Sequence, residues 1–176
     1  MIHEREFVFV GGIETPLGTV VAAATRDALV FLEFGDRPEL PTPLAHAEAR
    51  LKRSCTLGSS PVLEQLRSQL DEYFAGTRST FDVPLRPKGT PFQEQVWKEL
   101  LTIPAGVTRS YGDVAKAIGR PTAVRAVAAA NGDNPISILI PCHRVIGADG
   151  TLTGYGGGLW RKRKLLDLER GASELF

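Results

Sequence analysis

The stretch from Thr80 to Gly89 constrains this chain most. It holds Pro84, Pro87 and Gly89 within a few residues, and no regular helix or central strand runs through such punctuation. The sequence therefore reads as two units, 1–79 and 90–176, joined by a linker over 80–89. Charge divides at the same place. Residues 1–87 carry 9 basic and 12 acidic side chains, a charge of −3, and residues 88–176 carry 12 and 8, a charge of +4. The second half is the better candidate for a surface that meets a polyanion. The chain as a whole has 176 residues and a formal charge of +1, which argues against a strongly basic nucleic-acid coat and against an acidic disordered chain. Its two cysteines cannot build a disulfide scaffold or a four-cysteine zinc site. No apolar run reaches the roughly 20 residues that cross a bilayer, and the charged start Met1-Ile2-His3-Glu4-Arg5-Glu6 does not read as a signal peptide. A cytoplasmic chain with reduced thiols and no membrane association is expected.

The first half reads as a small antiparallel sheet followed by helix. Glu6–Val10, Thr19–Ala24 and Ala28–Phe34 are rich in β-formers, with Gly11-Gly12 and Pro16-Leu17-Gly18 as breaks. Residues 44–53 suit a helix. Ser60-Pro61 is an N-cap with proline in the first turn, Leu63, Leu66, Leu70 and Phe74 follow at helical spacing, and Gly76 is a stop.

The second half reads as helices, then a reactive loop. Thr90-Pro91-Phe92-Gln93 and Ser110-Tyr111-Gly112-Asp113 are capping boxes. Gly119-Arg120-Pro121 breaks the chain, and Thr122–Asn131 is a further helix. Helix, short turn, helix is the helix-turn-helix pattern, although any core can hold such a pair. The helix over 122–131 has one face nearly free of bulk, with Ala123, Ala126, Ala128, Ala129 and Ala130 and one long cation, Arg125. That composition suits close approach to a minor groove, or plain packing against a neighbouring helix. Ile136–Ile140 reads as a buried strand and Val145–Leu152 as a hairpin around Asp149-Gly150, which would form a wing. Leu159–Arg170 is a last helix carrying the basic run Arg161-Lys162-Arg163-Lys164. Such a run is commonly a solvated face, although phosphates would favour it.

Cys142 follows the apolar run and Pro141, with His143 and Arg144 beside it and glycines downstream. A thiol with pKa near 8.5 is mostly protonated at neutral pH, and a neighbouring base makes it a nucleophile. Cys55 has no such setting.

The run Ile140-Pro141-Cys142-His143-Arg144-Val145-Ile146 resembles the active-site signature of the O6-alkylguanine-DNA alkyltransferases. The resemblance extends over residues 90–169 and includes Arg109-Ser110-Tyr111-Gly112, Ala123-Val124-Arg125-Ala126-Val127 and Asn131-Gly132-Asp133-Asn134-Pro135. It implies an α+β chain with an N-terminal sheet-plus-helix domain and a C-terminal winged helix-turn-helix domain. By the resemblance, Cys142 takes the alkyl group from O6 of a flipped-out guanine, once and irreversibly. His143 deprotonates it through a water, Glu169 orients the histidine, and Asn134 braces the turn. Tyr111 gives a proton to the base. Arg125 fills the gap in the stack, and Ala126 and Ala129 face the minor groove. The carbonyls of Cys142 and Val145 read the exocyclic amine of guanine, and Tyr155 and Gly156 close over it. The implied partner is alkylated DNA, double- or single-stranded. A monomer is expected, with cooperative clustering on DNA left open, and neither metal nor cofactor is called for. Gly156 stands where many members carry serine, which leads us to expect greater tolerance of bulky O6-alkyl groups. A cysteine hydrolase, a damage sensor without chemistry and a winged-helix transcription factor are the alternatives. The first leaves Arg125 without a purpose, the second lacks the cysteine, and the third accepts no methyl group.

Overall fold

The computed structural model describes residues 6–171. The chain divides between Pro87 and Lys88 into two compact units.

The first unit is a four-stranded sheet with helices against it. Strands β1 (Phe9–Ile13), β2 (Val20–Ala24) and β3 (Leu29–Phe34) pair antiparallel, and the short β4 (Thr56–Leu57) joins β1 in parallel, giving the order β3-β2-β1-β4. Here β1 lies later than the sequence suggests. It runs through Gly11-Gly12 because those glycines pair with Ala22 and Val21, so they serve the ladder and do not interrupt it. All five residues of β2 are buried, as befits a central strand covered on both faces. Helix α1 (Pro43–Leu51), capped by Thr42, lays Leu44, Ala47 and Leu51 against Val10, Val21, Ala23 and Phe31. Helix α2 (Pro61–Phe74) is capped by Ser60, whose hydroxyl accepts from Leu63 N. It buries Leu63, Leu66, Leu70 and Phe74 at the spacing of one helical face. Gly76 follows at φ 78°, a conformation that favours glycine. Part of the proline-rich stretch belongs to this unit, since Leu29 N donates to Pro84 O and Arg86 N donates to Leu29 O.

The second unit is built on three helices. Helix α3 (Pro91–Leu100) begins with the capping box of Thr90 and Gln93, and α4 (Tyr111–Ala117) with that of Ser110 and Asp113. Residues 118–123 turn the chain into α5 (Val124–Gly132). The three helices pack on one another. Trp97 pins α3 to α5 by donating its indole N–H to Ala130 O at 2.8 Å. On α5, Val127, Ala130 and Asn131 are buried while Arg125, Ala126 and Ala129 lie on the open side.

Two expectations fail in the next segment. Residues 136–140 form a tight turn and no strand. It doubles back on itself, with Ile140 N donating to Ile136 O and Ile138 at φ 71°. Apolar content records burial, and burial alone does not separate a strand from a packed turn. The hairpin is also absent. β6 (Val145–Ile146) pairs in parallel with β5 (Arg109–Ser110). Asp149-Gly150 closes a loop through Gly147 N to Thr151 O and Gly150 N to Gly147 O, so the wing is a loop and not a two-stranded ribbon. Helix α6 (Leu159–Glu169) is the last described element. No described helix is long and apolar enough to cross a membrane.

Candidate active site

Cys142 opens a single 3-10 turn, Cys142–Arg144, directly after Pro141. The turn is buried throughout, and its side chains are held by groups that converge from α5, α6 and the loops.

Glu169 comes from the last turn of α6, with its side chain 1% exposed. His143 Nε2 lies 2.7 Å from Glu169 Oε1. Arg144 grips the same carboxylate with two donors, Nε to Oε2 at 2.9 Å and Nη2 to Oε1 at 2.8 Å, and gives its third to Ile103 O at 2.6 Å. Burial by itself would raise the Glu169 pKa. The hydrogen bonds from His143 and Arg144 and the Arg144 charge outweigh it and hold the carboxyl far below the usual range. An ionised carboxylate can only accept, so the histidine proton sits on Nε2. His143 Nδ1 is then the basic nitrogen, and it is buried without a hydrogen-bond partner among the described residues. Burial pushes the imidazole below its ordinary pKa, with Glu169 opposing, so His143 is neutral at pH 7 and able to take a proton.

The thiol rests protonated. Burial raises the Cys142 pKa, against the pull of a hydrogen bond from Asn134, the charge of Lys162 and nearby backbone N–H groups. A raised thiol beside a neutral histidine leaves both groups uncharged at rest. Asn134 also donates to Ile140 O at 2.8 Å and accepts from Ile136 N at 2.9 Å, which braces the turn that delivers the cysteine. Asn131, near the end of α5, donates to Cys142 O at 3.3 Å.

The loop over 153–158 lies on the same site. The Tyr155 hydroxyl is buried. Burial raises its pKa well above the usual value, and the neighbouring Cys142 adds to the effect. A Cβ placed on Gly156 would meet nothing within 4 Å. Tyr111, first in α4, donates its hydroxyl to Thr153 O at 3.1 Å. Lys162 donates to Val145 O at 2.6 Å and to Thr153 O at 2.7 Å.

The structure thus brings Cys142, His143, Glu169, Asn134, Val145 and Tyr155 together around one turn, with Tyr111 and Gly156 on the adjoining segments. Arg125, Ala126 and Ala129 stand apart on the open side of α5, connected to the thiol through the Asn131 end of that helix. Arg144, Asn131 and Lys162 have no role that the sequence alone announces. Each lies in a conspicuous run, but only packing shows which way it turns. The basic run on α6 needs correction as well. Arg161 and Lys162 are buried, and Arg161 donates to Gly157 O at 3.0 Å, so half of that run faces the loop and not solvent. Among the described residues no group of three or more His, Cys, Asp or Glu side chains could hold a metal ion.

A buried cysteine whose neighbouring histidine is held by a carboxylate, in the same unit as a helix-turn-helix, is the arrangement of a reactive thiol in a DNA-binding type of fold. Comparison with known proteins gives it a family. The profile described as 6-O-methylguanine DNA methyltransferase, DNA binding domain, matches residues 91–171, and that of the ribonuclease-like domain of the same family matches residues 8–87. A methylated-DNA–protein-cysteine methyltransferase of Mycobacterium bovis is 65% identical over 170 residues, covering 97% of this chain and 93% of the relative. The constitutive protein of the same name from Bacillus subtilis is 44% identical, covering 89% and 92%. The crystal structure of Mycobacterium tuberculosis O6-methylguanine methyltransferase superposes with a TM-score of 0.82 at 45% identity, covering 97% of each chain. A Mycobacterium tuberculosis OGT structure in complex with DNA gives 0.78 at 44% identity, covering 93% and 92%. The chain belongs to the 6-O-methylguanine DNA methyltransferase family.

Proposed function

We propose that this chain repairs alkylated DNA by moving the alkyl group from O6 of guanine onto Cys142. The observation that carries the proposal is the buried thiol held with a neutral histidine whose Nε2 is committed to Glu169, leaving Nδ1 to act as the base. His143 Nδ1 takes the thiol proton through a water. Sulfur attacks the alkyl carbon, an S–C bond forms and the C–O6 bond breaks. The electron pair left on the base is met by a proton from Tyr111 at N3, and the proton held by His143 restores the tyrosine. The products are S-alkylcysteine and unmodified guanine. A thioether is stable, and no described group near Cys142 offers a route back to the thiol, so each chain acts once.

Residues of the second unit are proposed to serve DNA. Ala126 and Ala129 offer a low-relief face to the minor groove, and Arg125 on the same face fills the gap left by the rotated base. The cost of extrusion is about a few kcal/mol and is lower for a mispaired base. The carbonyls of Cys142 and Val145 accept the exocyclic amine of guanine, with Tyr155 and Gly156 over the ring. The reading includes a cytoplasmic chain that works as a monomer without metal or cofactor, on double- or single-stranded DNA. Its test is exposure to an O6-methylguanine duplex. The wild-type chain gains one methyl group in intact mass and Cys142→Ser gains none. Equal gain in both would refute Cys142 as the acceptor.

A further inference from the structure

Lys162 is a fully buried lysine, 0% exposed, and no salt bridge pairs it with a carboxylate among the described residues. A buried ammonium is costly unless its donors are matched. Here the partners are neutral carbonyls, Val145 O at 2.6 Å, Thr153 O at 2.7 Å and Gly154 O at 3.4 Å. They come from two segments with no ladder between them. Val145 follows the nucleophile turn, and Thr153-Gly154 immediately precedes Tyr155. The loop between them is otherwise closed near its tip, through Gly147, Gly150 and Thr151. Thr153 O is also the acceptor for the Tyr111 hydroxyl. The other carbonyl given to the guanine amine, Cys142 O, is likewise held by a buried side-chain donor, Asn131.

We propose that Lys162 is a specificity-determining positioning residue: its buried ammonium aims the Val145 carbonyl at the 2-amino group of the extruded guanine and, through Thr153 O, keeps Tyr111 in register with the same base. The inference rests on the alkyltransferase reading above. Guanine is then told apart by an amine that meets two carbonyls, one fixed by Asn131 and one by Lys162.

The test compares methyl transfer from O6-methylguanine and from O6-methylhypoxanthine, which lacks the 2-amino group, in one duplex sequence at saturating DNA. The wild-type chain is expected to favour guanine. In Lys162→Met the guanine-to-hypoxanthine rate ratio is expected to fall about tenfold toward unity, because a donor-acceptor pair that is no longer aimed stops discriminating. Equal slowing on both substrates would make Lys162 a structural residue only and overturn the proposal. Should Lys162→Met fail to fold, the wild-type chain carries the test between pH 7 and 9.5. Burial brings the ammonium down to about 8, so across this interval it loses one of the protons that serve three carbonyls. The titratable groups that face it, Cys142 and His143, affect both substrates alike and cancel in the ratio. A falling ratio supports the proposal and a constant one overturns it. No transfer from either substrate would overturn the alkyltransferase reading itself.

Discussion

Glu169 carries more of the site than its place near the chain end suggests. It fixes the His143 tautomer and neutralises Arg144, both buried. Glu169→Gln is expected to cost about 3–5 kcal/mol in urea unfolding, because it leaves the Arg144 charge buried without its counter-ion, and to slow alkyl transfer. The pH dependence has a fixed sign. His143 has a folded pKa below about 6.5, its unfolded value, so the unfolded chain takes up that proton first and stability falls as pH drops from there. Glu169 is held well below about 4.3, so its contribution is complete above that pH and is lost below it. Midpoints recorded from pH 8 to 3 should therefore decline in two stages in the wild-type chain, and the lower one should be smaller in Glu169→Gln, where only carboxylates such as Asp113 and Asp149, also held low, remain to be protonated. Gly156 bears on specificity. Because a Cβ there meets open space, Gly156→Ser is expected to fold with less than about 0.5 kcal/mol change and to lower the ratio of benzyl to methyl transfer. An unchanged ratio in single-turnover assays would mean that the loop does not limit substituent size.

At the scale of elements, the capped helices were the most legible part of the sequence. Thr90 with Gln93, Ser110 with Asp113 and Ser60 with Pro61 start helices where their local chemistry requires, because a cap acts within four residues. Segments that depend on distant partners were less legible. Residues 136–140 carry a strand's composition, yet Asn134 draws them into a turn. Val145–Ile146 finds its partner at Arg109–Ser110, which no local pattern announces. The basic run on α6 has the composition of a solvated face, since charge in a sequence carries no direction, and only the fold turns Lys162 inward. For the site, the Pro-Cys-His-Arg signature marks Cys142 and His143, the proposed nucleophile and base, while the donors Asn131 and Arg144 are visible only with their distances. A Cβ at Gly89 would stand 2.5 Å from the Trp97 ring, which is buried and pinned to Ala130 O, so Gly89→Ala should destabilise by about 1–3 kcal/mol in thermal or urea unfolding. Arg125 is exposed on α5, so Arg125→Ala should leave stability unchanged. It should slow repair in duplex DNA by about tenfold or more, with reaction toward the free base O6-methylguanine affected far less. Equal loss on both substrates would remove Arg125 from the extrusion step.

For the whole molecule, the near-zero charge conceals two halves of opposite sign. Even the positive half offers less to DNA than its count implies, since Arg144, Arg161 and Lys162 are buried and serve the site. The buried cations thus hold backbone and carboxylate in place, while the open side of α5 is the face proposed for DNA. The division at Pro87 and Lys88 places every proposed reacting group in the second unit, and its entire covalent capacity is one thiol. That thiol is raised by burial and lies next to the histidine proposed as its base, and the proposed thioether product is stable. The decisive measurement is a titration of the chain with an excess of duplex DNA carrying isotope-labelled O6-methylguanine, read by intact mass and peptide mapping. A plateau at one methyl group per chain, located on Cys142, is the predicted result. Label on any other residue, or repair of several lesions per chain, would contradict it.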